Sequence, residues 1–323
     1  MIAGAIGSYF FIFNKKQSQE ETKTLVLGWN AWPGILPYLI AYDNGFFEEE
    51  GVNVKLKYEE SYTEMVDDML AGKIDFSADM VLIDVMEKNT KGGDLVVVGL
   101  TDYSNGADGI VANKEINSII ELRGKRIAVE KGGLGDYFLF LFLGKYGLKI
   151  EDVEEVDIAS QQGVDAFIRG EVDAVVTYGP DLSRVLKDGD GKIIFSTSDV
   201  PGTIIDVLVF HKNFVDQNPN TVKAVLRAYF RGIDFVKNNP DKSYEIGAKY
   251  FNISAEEFAK QLEGIKLADR LDNLAAFSYA SGPKSLYVIF QNREKFLHEI
   301  GKIDKILFPG DVIFGEFLKE VAK

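Results

Sequence analysis

A two-lobed α/β fold, each lobe an open and mostly parallel sheet flanked by helices, is what the 323-residue sequence predicts. Three observations lead there. From Thr24 onward, apolar runs of strand length alternate with segments of helix length. The phrase "LAGKIDFSADM" at 70–80 is echoed by "IRGEVDAVVTY" at 168–178, each a helix closed by glycine, then one residue, an apolar residue, an aspartate and a strand. The glycine permits a left-handed helix stop and the aspartate starts the strand through a side-chain to backbone bond, so two copies imply two similarly built lobes. After "TSDVPGTIIDVLVFHKN" the chain becomes mostly helical, from Pro219 onward, as suits a chain that leaves a first lobe, builds a second and returns.

In order, Leu25 to Gly28 is a short apolar strand, and Pro33 to Asn44 is a helix with proline in its first turn and Gly45 at its end. Val52 to Tyr58 alternates as a strand, Tyr62 to Ala71 is a helix, Ile74 to Ala78 a strand, Leu82 to Asn89 a helix and Leu95 to Thr101 a strand. Met65 and Met69, four apart, belong to the core face of their helix, and Glu48 to Glu50 to a solvated face. "LRGKRIAVEKGGLGDYFLFLFLGKYGL" then opens the second round: a strand at Arg126 to Glu130, a glycine turn, and an apolar helix closed by Gly147. Val153 to Ile158 is a strand, Gly163 to Arg169 a helix and Val172 to Thr177 a strand. Candidate crossings at Asn113 to Ile120 and Gly202 to Phe210 divide the chain into lobe 1 (24–112 plus 207–323) and lobe 2 (113–206), with the hinge expected at about Asn113 and Gly202 to Asp206.

Composition narrows the function. The formal net charge of −14 argues against nucleic acid as a partner. With no cysteine, disulfides, thiolate catalysis and thiolate zinc sites are excluded; with only His211 and His298, a histidine-rich metal site is not expected either. No Ser-His-Asp set can be assembled, since His211 falls on a returning strand and His298 on a distal helix. The opening "MIAGAIGSYFFIFNKKQSQEETK" runs apolar to Phe13 and then charged, so 1–23 is expected to be a signal or anchor segment with a tether, placing the folded part at a membrane.

Ligands of open α/β sheets lie off the carboxyl ends of the strands, which here means the cleft between lobes. The loops collected there are Trp29, Asn30 and Trp32; Ser77 to Met80; Asp102 to Asp108; Glu130 to Tyr137; Tyr178; and Asp206. Trp29 and Trp32, the only tryptophans, sit where the first strand feeds the first helix and are expected to wall the cleft, stacking a planar ligand or a cation. Of Tyr38 and Tyr42, at helical spacing, Tyr42 is assigned to packing and Tyr38 to the cleft. Asp79, Asp102, Asp108, Glu130 and Asp206 face one obvious base, Lys131, so the pocket is acidic. Asp79, Asp102 and Asp206 are expected to accept hydrogen bonds from donor groups of the ligand, while Asp102 and Asp108 have a competing role in tying their own turn. "EKGGLGDYF" offers Gly133 and Leu134 amides to a carboxylate or carbonyl, with Tyr137 one turn on. It lacks the spacing of a dinucleotide fingerprint or a phosphate-binding loop. Ser77 completes the candidate set.

"YLIAYDNGFFEEEGVNVKL", the two Gly-x-x-Asp echoes, "LRGKRIAVEKGG", "KYGLKIEDVEEV" and "GTIIDVLVF" together resemble the extracytoplasmic solute-binding proteins of ABC importers, in the branch of nitrate, sulfonate, taurine and thiamine-precursor binders, over about Thr24 to Phe314. The resemblance implies a type II periplasmic-binding-protein fold with a two-segment hinge, no catalysis and no cofactor or metal. It also implies an extracytoplasmic monomer that closes on a small solute and presents it to a permease and its ATPase. Where sulfonate-type binders offer hydroxyl or basic side chains at the start of the second lobe's first helix, this chain has "EKGGLGDYF"; its amides combined with the acidic loops point to a zwitterionic or neutral polar solute with an amino group, so an amino-bearing or heteroaromatic ligand is expected. Two alternatives stay open: an enzyme resembling the thiamine-pyrimidine synthases, for which Lys131 is the lone candidate lysine, and an anchored extracytoplasmic sensor.

Overall fold

The computed structural model describes residues 23–131, 134–279, 282 and 284–322. The expected signal or anchor segment lies outside them, apart from Lys23. Eleven strands in the described residues form two sheets. The first holds β1 (Leu25–Trp29), β2 (Val54–Tyr58), β3 (Phe76–Val81), β4 (Leu95–Ser104), β10 (Ile205–His211) and β11 (Ile265–Leu267), in the order β11-β4-β10-β3-β1-β2. The second holds β5 (Asp108–Asn113), β6 (Arg126–Val129), β7 (Glu154–Asp157), β8 (Ala174–Tyr178) and β9 (Gly191–Ser196), in the order β7-β6-β8-β5-β9.

The two sheets repeat one plan. In the first, β2, β1 and β3 run parallel and β10 pairs antiparallel with β3 and β4. In the second, β7, β6 and β8 run parallel and β5 pairs antiparallel with β8 and β9. The sequence echo fixes the same joint in each. Gly72 and Gly170 take φ of 70° and 72°, the left-handed stop only glycine makes at little cost. Asp75 then accepts from the Val26 amide at 2.8 Å, and Asp173 from the Arg126 amide at 2.9 Å, each pinning the start of one parallel strand to its neighbour.

β5 and β10, each antiparallel to the strands on both sides of it, are the strands reached through the crossings, which corrects the expected boundaries. β5 is paired to β8 and β9, so the first crossing lies at 105–107 rather than at Asn113 to Ile120. β10 begins at Ile205 inside the first sheet, so the second lies at 197–204. A short buried strand such as Asp108–Asn113 reads in sequence as a continuation of the one before it; only its partners assign it to a sheet. The crossings run side by side: the Ser104 amide donates to the Ile204 carbonyl at 3.1 Å, and the Thr197 hydroxyl lies 2.7 Å from both the Ser104 hydroxyl and the Gly106 amide. Among the helices, Pro219–Asn238 buries an apolar face against Leu36–Asp43, and Leu286–Glu299 reaches across to Leu134–Lys145 of the second lobe. Among the described residues no helix is long and apolar enough to cross a membrane.

Candidate functional site

The carboxyl ends of β1 and β2 meet those of β6, β7 and β8 across a cleft of about 610 Å³. Trp29, Asn30, Tyr58, Glu60 and Glu64 line it from the first lobe, and Glu130, Ser160, Gln161, Tyr178 and Asp181 from the second; Tyr250, Phe251 and Ile253 close one side. Behind Asn30 and Tyr178, which border both spaces, lies a small chamber of about 20 Å³ between Trp32, Tyr62, Asp79, Asp108, Leu134 and Asp206. That is room for one water-sized group.

Trp29 packs edge to face on Tyr58 at 4.9 Å and on Tyr250 at 5.9 Å, so it is a fixed wall of the outer cleft. Its buried Nε1 has no partner. Trp32 lies deeper and holds a carboxylate: its Nε1 sits 3.3 and 3.2 Å from the two oxygens of Asp102. The chain turns tightly here because of Gly34, where a Cβ would fall 2.0 Å from Asp102 Oδ2 and 2.5 Å from Trp32 Nε1. The tryptophans therefore divide their work, one facing the cleft and the other bracing the chamber.

Asp79, Asp102, Asp108 and Asp206 are all buried, at 3 % exposure or less. Among the described residues no lysine or arginine lines the chamber or the cleft. Asp79 accepts from the Asn30 amide at a long 3.4 Å and its other oxygen is bare; Asp108 Oδ2 and the buried Asn30 Oδ1 also lack partners. Burial pushes the carboxyls of Asp102 and Asp108 up to about 7, against the opposing hydrogen bonds of Trp32 and Ser104. Asp79 and Asp206 are held well above the usual carboxylate range, first by burial and then by the neighbouring aspartates. Bare charge on all four is untenable in so dry a place; they hold protons or face a cation.

Three expected site residues fall elsewhere, Asp102 sits against Trp32 without lining either space, and one lies outside the described residues. Tyr38 stacks on Tyr229 at 4.8 Å in the first lobe's core rather than facing the cleft, because the helix Pro219–Asn238 covers that face. Tyr137 turns away to Phe296 at 5.0 Å, with Arg293 over its ring. Ser77 is wholly buried and its hydroxyl is aimed at Met65 Sδ, 3.4 Å away. Leu134 lines the chamber, and Gly133 lies outside the described residues. Glu130 borders the cleft and accepts from the Thr63 hydroxyl, joining the two lobes.

Sequence reasoning missed Tyr58, Glu60, Glu64, Ser160, Gln161 and Asp181, which follow strands it had placed, and Tyr250 and Phe251, for which no local signal exists. Neither histidine borders the cleft or chamber; His211 bonds Asp94 at 2.6 Å and the Met69 carbonyl at 2.7 Å. Lys131 is paired to Glu155 at 2.8 Å. Among the described residues no group of three or more His, Asp or Glu is placed to hold a metal ion.

Residues 32–243 match the family model described as NMT1/THI5 like, and the chain belongs to that family. A putative binding protein of Brucella abortus is 24 % identical over 288 residues, covering 86 % of each chain. A putative aliphatic sulfonates-binding protein of Bacillus subtilis is 28 % identical over 301 residues, covering 89 % of this chain and 85 % of that one. The crystal structure of the periplasmic aliphatic sulphonate binding protein SsuA from Escherichia coli superposes with a TM-score of 0.73 at 18 % identity, covering 90 % of this chain and 92 % of that one. The fold is thus the two-lobed periplasmic-binding-protein architecture.

Proposed function

We propose that this member of the NMT1/THI5-like family is the extracytoplasmic solute receptor of an ABC importer, and that its solute is an amino-bearing or heteroaromatic cation. The first half rests on the fold and on relatives named as binding proteins, one of them for aliphatic sulfonates. The second half rests on one observation: three buried aspartates, Asp79, Asp108 and Asp206, line a chamber of one-group size, a fourth, Asp102, lies behind Trp32, and among the described residues no basic side chain lines the chamber. A sulfonate placed there would find no basic side chain among the described lining residues to pair with. A cation would supply the partner that the bare oxygens of Asp79 and Asp108 lack.

The division of the cleft fits capture. A positively charged head enters the chamber between Asp79, Asp108 and Asp206, while the body of the solute lies on Trp29, Tyr58 and Tyr178. Rotation about the paired crossings at 105–107 and 197–204 would open and close the lobes, and a closed pair of lobes is what a permease and its ATPase would receive. An enzyme is disfavoured because Lys131 is engaged by Glu155 and no histidine reaches the cleft. The test is a thermal-shift screen of monoamines, heteroaromatic cations, amino acids, sulfonates and nitrate. A ligand at about 100 times its dissociation constant adds ~2.7 kcal/mol of stability. Shifts restricted to cations support the reading; a shift with sulfonates or nitrate alone overturns it.

A further inference from the structure

We propose that the cleft selects a solute with two positive centres, one at each end: an elongated diamine or polyamine rather than a simple amine or an amino acid. This rests on the cationic reading above and goes beyond it by assigning the outer cleft a charge preference of its own.

The chamber accounts for one centre. Its second, independent mark of a ligand is the Asn30 side chain, 4 % exposed, whose Oδ1 has no partner and borders both chamber and cleft. A carbonyl oxygen in that position accepts from the N–H groups of an entering ammonium that the aspartates cannot all reach. The other centre belongs at the mouth, where Glu60, Glu64 and Glu130 border the cleft with no lysine or arginine among its lining residues. Glu130 accepts from the Thr63 hydroxyl and not from a base, and among these acids Asp181 alone is paired with one, Arg184 at 3.3 Å. Between the two ends the walls are aromatic: Trp29, Tyr58, Tyr178 and Tyr250. Such walls suit a methylene chain and the flanks of cationic nitrogen alike. An amino acid or a taurine-like zwitterion with its ammonium in the chamber would turn its anion toward the three glutamates.

Trp29 and Trp32 are the chain's only tryptophans, so tryptophan emission excited selectively over tyrosine reports on this site. The experiment titrates diaminobutane, butylamine, aminobutyrate, taurine and spermidine into the full chain at neutral pH and low salt. Diaminobutane or spermidine binding at least about tenfold more tightly than butylamine, with aminobutyrate weaker still, is the expected order. The Glu60→Gln/Glu64→Gln variant, both positions exposed at the rim, should lower diamine affinity by roughly five- to twentyfold, since each exposed ion pair contributes up to about fivefold, and lower butylamine affinity by a clearly smaller factor; an equal loss for both counts against the second centre. Butylamine equal to the diamines, or aminobutyrate tighter than they are, overturns the dication while leaving the cationic reading intact. Binding of taurine with no response to any amine overturns both.

Discussion

Replacing Asp108 by asparagine should make the ligand-free protein more stable at alkaline pH and poorer at holding a cation. Asp108 is 2 % exposed and its carboxyl is pushed up to about 7 by burial, opposed by the Ser104 hydroxyl. A buried acid raised in this way contributes stability that is complete below the unfolded carboxylate range and is lost as pH rises through the folded value. Moving one carboxyl from about 4 to about 7 corresponds to ~4 kcal/mol, of which roughly 3 kcal/mol falls between pH 5 and pH 8. Asparagine keeps the shape and has no proton to lose. It also removes a like charge from Asp102 and Asp206, both of which feel Asp108. For a chain of this size that is a melting temperature about 6 °C above the parent protein at pH 8, shrinking toward parity at pH 5. Differential scanning fluorimetry at the two pH values measures it. In the same variant a cation should bind about thirtyfold or more weakly, as when one member of a buried charge pair is removed. A melting difference of the same size and sign at both pH values would refute the assignment of a buried, proton-holding Asp108.

Other consequences follow from the same geometry. Gly34→Ala should displace Asp102 from Trp32 and cost about 1–3 kcal/mol, visible as a lower melting temperature and altered tryptophan emission; unchanged emission would count against the bond. Asp75→Ala and Asp173→Ala should cost about 1 kcal/mol each in denaturant unfolding, because they free equivalent strand-starting amides; a loss confined to one of them would dismiss the equivalence of the lobes. Arg293 donates to the Thr203 carbonyl at 2.6 Å and the Gly202 carbonyl at 3.2 Å while lying over Tyr137. Arg293→Met should therefore loosen the second crossing, raising the radius of gyration in solution scattering without ligand; identical scattering would show that the contact does not restrain the lobes.

Much of this was legible in the chain because local chemistry carried it. The carboxyl ends of parallel strands brought Trp29, Asn30, Asp79 and Tyr178 together, and the antiparallel strands β5 and β10 begin at the same edge with Asp108 and Asp206. The glycine and aspartate of the echo acted through their own backbone needs, so their roles could be read directly. What failed depended on distant partners. Helical spacing could not say that Tyr38 would meet Tyr229, nor that Phe296 would draw Tyr137 away from the cleft. The membership of β5 is decided by pairing with β8 and β9, both later in the chain. Tyr250 and Phe251 reach the cleft only because their helix packs beside Leu36–Asp43.

The central claim is that the aspartates around the chamber hold protons when it is empty and give them up to a cation. Asp79, Asp102, Asp108 and Asp206 face the chamber or one another there, with Tyr62 and Tyr178 as the neighbouring titratable groups and, among the described residues, no base lining it. Tyrosine stays neutral near pH 6, where carboxyls raised to about 7 are still largely protonated. A pH-stat titration with diaminobutane at pH 6 counts the protons directly. Release of about one proton per bound diamine is the predicted result; binding without proton release, or with uptake, would contradict it.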